Sequence, residues 1–277
     1  MLYKDFSDQE FINLSLSKIP MTAQGLERNM KYRMDNIDFK EFHSFAGDLS
    51  GKKVLSNACA SFLLFDLYST GNGPSEIFAF DYNPKQTAYN YLVKLGFERL
   101  SFDEFVDFFG LESRNKVRSS QNKQIRKELV SSMPKQLRKF LPRNHELTKR
   151  DLVLYDATNA KLTFDKFNKI KPNVYKVRFF VYNLNPLIGQ KFSDIFPENY
   201  FDFIYTSNVL DWICWHNNMD YVNIEKIFTN LTSVLKPKGS IVVDHLASRE
   251  SILPNYIETK KDHIVEQRDY NAYKYWW

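Results

Sequence analysis

Three short runs in this 277-residue chain place small, amide and acidic side chains directly after apolar stretches. The first is Ser56-Asn57-Ala58-Cys59-Ala60-Ser61, which follows Val54-Leu55. The second is Asp81-Tyr82-Asn83-Pro84, after Ile77-Phe78-Ala79-Phe80. The third is Thr206-Ser207-Asn208-Val209-Leu210-Asp211-Trp212, after Phe201-Asp202-Phe203-Ile204-Tyr205. Small residues let a ligand approach the backbone, and a helix starting after the first run offers unpaired N–H groups. A carboxylate closing the second strand can accept hydrogen bonds from both hydroxyls of a ribose. Polar groups in the third run are placed to face a reacting group. Each run also has an ordinary use: a strand-to-helix turn for the first, a helix cap by Asp81, and a cap by Ser207 or Asn208 with Trp212 in the core. The first two taken together point to an adenosine-containing cofactor.

The elements around these runs follow an α/β rhythm. Ser7-x-x-Glu10 is a capping box and predicts a helix carrying Phe11, Leu14 and Leu16. An amphipathic stretch runs from about Thr22 toward Phe45. Strands are predicted at Val54–Ser56 and Glu76–Asp81, a helix through Phe62–Leu67 and another after Pro84, where proline suits a first turn. Strand, helix, strand, helix implies a βαβ unit with parallel strands. The rhythm stops near Leu100 and resumes at Lys176–Tyr182. A strand at Phe201–Tyr205, a helix over Asp220–Leu235, a Lys236-Pro237-Lys238-Gly239 turn and a strand at Ile241–Val243 follow. The interruption opens on a second capping box, Ser101-x-x-Glu104, with Gly110 as a C-cap. The expected organisation is a helical N-terminal cap over 1–50 and an α/β cofactor domain over 51–277. A basic, mostly helical insertion of about 111–175 should lie over the sheet edge.

Other chemistries lack their signatures. Cys59 and Cys214 form no C-x-x-C pair, which argues against a zinc site or disulfide framework and suits a reducing cytoplasm. The chain shows no signal-like stretch and no window long enough to span a membrane. There is no phosphate loop, no H-E-x-x-H, no G-x-G-x-x-G and no serine-hydrolase elbow. A soluble, cytoplasmic protein is expected.

At the three runs the chain resembles the S-adenosylmethionine-dependent methyltransferase superfold. More narrowly, it is similar to the 3-amino-3-carboxypropyl transferases that make the homoserine head group of betaine lipids. The matching stretches are Asp81-Tyr82-Asn83-Pro84-Lys85-Gln86, Leu100 to Gly110, Phe201 to Trp212 and Arg268-Asp269-Tyr270-Asn271-Ala272-Tyr273. The likeness runs from about residue 50 to the end and is thin between 111 and 175. Its departure is the first loop, Ser56–Ser61, which lacks the expected glycine. The resemblance implies a class I methyltransferase-like, mostly parallel sheet and S-adenosyl-L-methionine as cofactor. It assigns cofactor binding to Ser56, Asn57, Ala58, Asp81, Tyr82, Asn183, Ser207 and Asn208. Asp81 would take the ribose, Ser56 and Asn57 the methionyl part, Asn183 the adenine, and Ser207, Asn208 and Asp211 the sulfonium side. It further implies transfer of the aminocarboxypropyl group, or its cyclisation, with release of methylthioadenosine. The alternatives are a methyltransferase and a non-catalytic module of the same fold. Because the sulfonium is an activated leaving group, no metal is required, and a base is needed only if the acceptor carries a proton. Tyr205, Asp211 and His245 are the candidates, His245 following the Ile241–Val243 strand.

Charge is concentrated in one place. From Ser113 to Arg150, twelve Lys or Arg stand against Glu128 and Glu146, in a chain of net charge +5. The rest of the chain is therefore net negative. A solvated helical face would account for this, as would an anionic small-molecule or lipid acceptor, or peripheral contact with an anionic membrane. Nucleic acid is disfavoured, since Phe140 is the segment's one aromatic and single-strand binding needs interleaved rings.

Overall fold

Runs such as Ile77-Phe78-Ala79-Phe80 and Phe179-Phe180-Val181 put bulky apolar groups on both faces of a strand, a pattern that is stable only inside a covered parallel sheet. The computed structural model describes residues 6–17, 39–58, 62–111, 120–142, 146, 155, 160–207, 209–210, 213, 221–244 and 265–268. Its strands are β1 (Lys53–Asn57), β2 (Glu76–Asp81), β3 (Val177–Val181), β4 (Phe201–Tyr205), β5 (Leu235–Asp244) and β6 (Val265–Arg268). They form one sheet in the order β3-β2-β1-β4-β5-β6, and every neighbouring pair is parallel. This is an α/β protein with a Rossmann-like sheet.

The helices are α1 (Asp8–Ser17), α2 (Phe39–Ala46), α3 (Phe62–Asp66), α4 (Pro84–Arg99), α5 (Phe102–Phe109), α6 (Ser120–Ser132), α7 (Lys135–Arg138), α8 (Phe164–Ile170) and α9 (Tyr221–Thr232). The strands alternate their side chains between two cores. Val54, Ile77, Ala79, Phe179, Phe203 and Val242 face a core built with α2 to α8. Leu55, Phe78, Phe80, Phe180, Ile204 and Ile241 face one built with α9 and the Phe192–Phe196 segment. Buried rings interlock by their edges in the second core, as Phe78 does with Phe196 at 4.9 Å and Phe11 at 5.7 Å. The insertion belongs to the first core: Ile125, Leu129, Met133 and Leu137 are buried in it, and α6 and α7 pack on α4.

Local signals account for the helix ends. The Ser101 hydroxyl accepts from Glu104 N while Glu104 reaches back to Ser101 N, and Gly110 closes α5 with φ 72°. Ser7 and Glu10 make the same exchange ahead of α1. Two features depart from the expected pattern. The Lys236–Gly239 turn lies inside β5 as a bulge: β4 register jumps from Phe201↔Leu235 to Phe203↔Ser240, and Lys238 has φ 65°. Gly239 permits the close approach, because a Cβ there would meet Leu235 Cδ1 at 2.7 Å. The second is β6, Val-Glu-Gln-Arg, a polar edge strand without the apolar alternation of the others.

At the opposite edge α1 covers β3. Ser15 Oγ accepts from Val181 N at 3.2 Å, satisfying a donor that an edge strand leaves open. Asp8, at the start of α1, takes Lys94 Nζ and the Tyr91 hydroxyl at 2.8 Å and Arg178 Nε at 3.3 Å. Burial pushes the Asp8 carboxyl up, but Lys94, Tyr91 and Arg178 outweigh it and hold the group below the usual carboxylate range. Among the described residues no helix is long and apolar enough to cross a membrane.

Candidate functional site

Strand order reverses between β1 and β4, and in a doubly wound sheet ligands bind beyond the carboxyl ends of the strands at that reversal. Register brings the three runs level. Asn57 pairs with Phe80 and Ser56 with Tyr205, so Ala58 emerges beside Asp81 and Asn57 beside Thr206.

Each strand exit is held differently. At β1, the buried Ser56 hydroxyl donates to Asn57 O at 2.9 Å, and Ala58 N donates to Phe80 O at 2.7 Å. At β2, the half-buried Asp81 accepts from Asn83 N through Oδ1 at 2.8 Å. The cap of α4 belongs to Asn83, whose Oδ1 accepts from Lys85 N at 3.0 Å. Pro84 occupies the first turn, where its missing N–H costs nothing. Asp81 therefore shapes the turn while its side chain stays at the strand end, and Tyr82 beside it is also half-buried.

At β4, Thr206 N and its hydroxyl both donate to Val242 O. Ser207 follows in the left-handed region, φ 46°, and is 5 % exposed. A non-glycine residue held in that conformation stores local strain of a kind that gathers at functional sites. Among the described residues its hydroxyl makes no hydrogen bond. At β3, Tyr182 stacks on Phe192 with centroids 4.0 Å apart, donates to Gln190 O and accepts from Asn230 Nδ2. Burial pushes the Tyr182 hydroxyl up despite the Asn230 hydrogen bond, so it stays neutral. Asn183, next along, spends its carboxamide oxygen on Asn185 N at 2.9 Å. Its Nδ2 donor has no hydrogen-bond partner among the described residues.

Neither the models of known protein families nor the curated proteins give a match to this chain.

The structure thus gathers Ser56, Asn57, Ala58, Asp81, Tyr82, Asn183 and Ser207 along one edge of the sheet. Tyr205 is different: its ring is 3 % exposed in the first core, edge-on to Phe42 at 4.7 Å, which gives it a packing role. Asn208, Asp211 and His245 lie outside the described residues, as does the Cys59–Ser61 part of the first loop. Among the described residues no group of three or more His, Cys, Asp or Glu could hold a metal ion.

One pair escaped the sequence reading. Gln86 and Asn90, 2 % and 0 % exposed on α4, are joined by Gln86 Nε2 donating to Asn90 Oδ1 at 3.1 Å. Two amides at i and i+4 on a helix buried nearly all round were the available signal. Among the described residues, the basic segment sorts by residue type. Arg126 donates to Pro142 O, and Arg138 to Met133 O and Ser131 O. Lys123, Lys127, Lys135 and Lys139 are exposed.

Proposed function

We propose that this protein is an S-adenosylmethionine-dependent transferase that moves the 3-amino-3-carboxypropyl group to a small-molecule or lipid acceptor and releases methylthioadenosine. The observation that carries the reading is the meeting of the three chemistry-bearing runs at the strand-order reversal, with Asp81 on β2 and a strained, buried Ser207 on β4. The residues suit the cofactor chemically. Asp81 supplies a half-buried anion for ribose hydroxyls, Asn183 an amide donor for adenine nitrogens, and Ala58 a small side chain against which a ligand can lie. The choice of cofactor and of the transferred group comes from the family likeness of Asp81–Gln86 and Phe201–Trp212; fold alone would admit other chemistry.

Bound there, S-adenosylmethionine would supply an activated carbon. A bond forms between the acceptor and the γ-carbon, the S–Cγ bond breaks, and its electron pair stays on sulfur. The protein's part is to exclude water and align the acceptor. Tyr205, whose ring packs in the first core, Asp211 and His245 are the residues proposed to take an acceptor proton. The acceptor or its surroundings would be anionic. With Arg126 and Arg138 turned onto backbone carbonyls, the open face of α6 and α7 carries lysines, point charges suited to a diffuse anionic lipid surface and poorly suited to forked base recognition.

Calorimetry with S-adenosylmethionine, then incubation of methyl-labelled cofactor with a cell extract of lipids and small molecules, tests the reading. Label retained on methylthioadenosine supports it. Label on an acceptor, with S-adenosylhomocysteine as the nucleoside, means methyl transfer instead. No saturable heat means a non-catalytic module.

A further inference from the structure

Asp66, on α3, is a carboxylate shared by two neighbours from distant parts of the chain. Its Oδ2 meets His43 Nε2 of α2 at 2.8 Å, and its Oδ1 accepts from Lys166 Nζ of α8 at 2.9 Å. Burial pushes the Asp66 carboxyl up, but the hydrogen bonds from His43 and Lys166 outweigh it and hold the group below the usual carboxylate range. An ionised carboxylate can only accept, so the His43 hydrogen sits on Nε2 and, in the neutral ring, the lone pair sits on Nδ1. Nδ1 has no hydrogen-bond partner among the described residues.

Exposure separates this cluster from the Asp8 pair, where the carboxylate is the open end and the Lys94 ammonium is buried. Here the Asp66 side chain is 7 % exposed and the imidazole 28 %, with Lys166 half-open beside it. A buried acid behind an open, oriented imidazole is the arrangement that makes histidine a base or a nucleophile. The neighbouring ammonium favours an anionic electrophile over a neutral ester. We propose that His43 Nδ1 is a nucleophile that accepts a phosphoryl group from a small acyl phosphate, with Asp66 holding the ring and Lys166 drawing in the anionic donor. The Nδ1 lone pair attacks phosphorus, the bond from phosphorus to the bridging oxygen breaks, and its electron pair leaves on the released carboxylate. No proton moves. The ring becomes cationic, and the Asp66 carboxylate lies against its Nε2–H, where it opposes the new charge. The site stands apart from the transferase reading: α2, α3 and α8 cover the first core, and none of the three residues belongs to the proposed cofactor site.

The test incubates the full chain with acetyl phosphate and maps the acid-labile, alkali-stable product by peptide mass spectrometry. The chain has five histidines, and the other four, His145, His216, His245 and His263, serve as the reference. His43 should be phosphorylated about tenfold faster than any of them, the weight of one hydrogen bond to a charged group. Asp66→Asn, which keeps the shape of the side chain and removes its charge, should erase most of that lead. No phosphoryl group on His43, or labelling at the rate of the other histidines, overturns the proposal and leaves a tie between helices. So does a folded Asp66→Asn variant that keeps the wild-type rate. The comparison among histidines is made within the wild-type chain, so it decides the matter even where the variant fails to fold.

Discussion

Replacing Asp8 with alanine should cost this protein about 3–5 kcal/mol, the penalty for breaking a buried ion pair by removing one partner. Lys94 is only 3 % exposed, and its ammonium lies 2.8 Å from Asp8 Oδ2. Arg178 Nε is 3.3 Å from the other oxygen, and the Tyr91 hydroxyl donates to the same carboxylate. Without Asp8, the two cations lose the carboxylate they share in a poorly hydrated space, and Glu98 is left as the acid that interacts with Lys94. The Asp8 side chain is 26 % exposed, so water softens the Arg178 end more than the Lys94 end, where side-chain exposure is 4 %. The cost is a large share of a typical total of roughly 5–15 kcal/mol. Urea unfolding should show it as a lower midpoint at unchanged slope. Adding Lys94→Met should recover much of the loss, since the stranded charge is then gone. The pH dependence has a definite sign. Asp8 is held below its unfolded value, so its contribution is complete above a pH of about 4 and fades as pH falls through the lower folded value. The alanine variant should lose that part of the acid sensitivity. A cost under about 1 kcal/mol, or no recovery with Lys94→Met, would refute the claim that Lys94 depends on Asp8.

Asp81→Ala should weaken S-adenosylmethionine binding at least tenfold, since hydrogen bonds to a charged group are worth about 1.5–3 kcal/mol each; unchanged affinity in a folded variant would remove Asp81 from the site. Ser207→Gly should raise unfolding stability by about 1 kcal/mol by relieving the left-handed φ of 46°; a lower melting temperature would show that the conformation carries no strain. Gly96→Ala should destabilise by about 1–3 kcal/mol despite alanine's better helix propensity. The new Cβ would meet Phe109 Cε2 at 2.7 Å and Phe105 Cε2 at 3.0 Å, both packed in the core, so a gain in stability would contradict this α4–α5 contact. Changing Lys123, Lys127, Lys135 and Lys139 together to glutamine should cut sedimentation with phosphatidylserine vesicles at least a hundredfold, each lysine near such a surface being worth about 1 kcal/mol. Equal binding by both proteins would return the patch to a solvated face.

What the sequence by itself determined was the set of interior strands, their parallel arrangement and the helix ends. A strand buried on both faces must be apolar at every position, and Ile77–Phe80 and Phe179–Val181 read that way without knowledge of their neighbours. Caps are likewise local: Ser101 with Glu104 and Pro84 after Asn83 act within one helical turn. The carboxyl-edge runs could be found because an α/β chain leaves every parallel strand at the same edge. Other decisions depended on residues far apart in the chain. Nothing near Lys236–Gly239 distinguishes a turn before a strand from a bulge within one; the choice came from packing Leu235 beside Gly239 and pairing with β4. The polar β6 has no periodicity of its own and exists by pairing with β5. Tyr205 reads from its strand end as a candidate base; that Phe42, on a helix from the N-terminal segment, packs against its ring could not be read locally. Asn90 reaches Ala58 across 32 positions and Arg178 reaches Asp8 across 170. Periodicity reports which face of an element is buried, but the partner of a buried polar group is set by which distant backbone or charge the fold brings within about 3 Å.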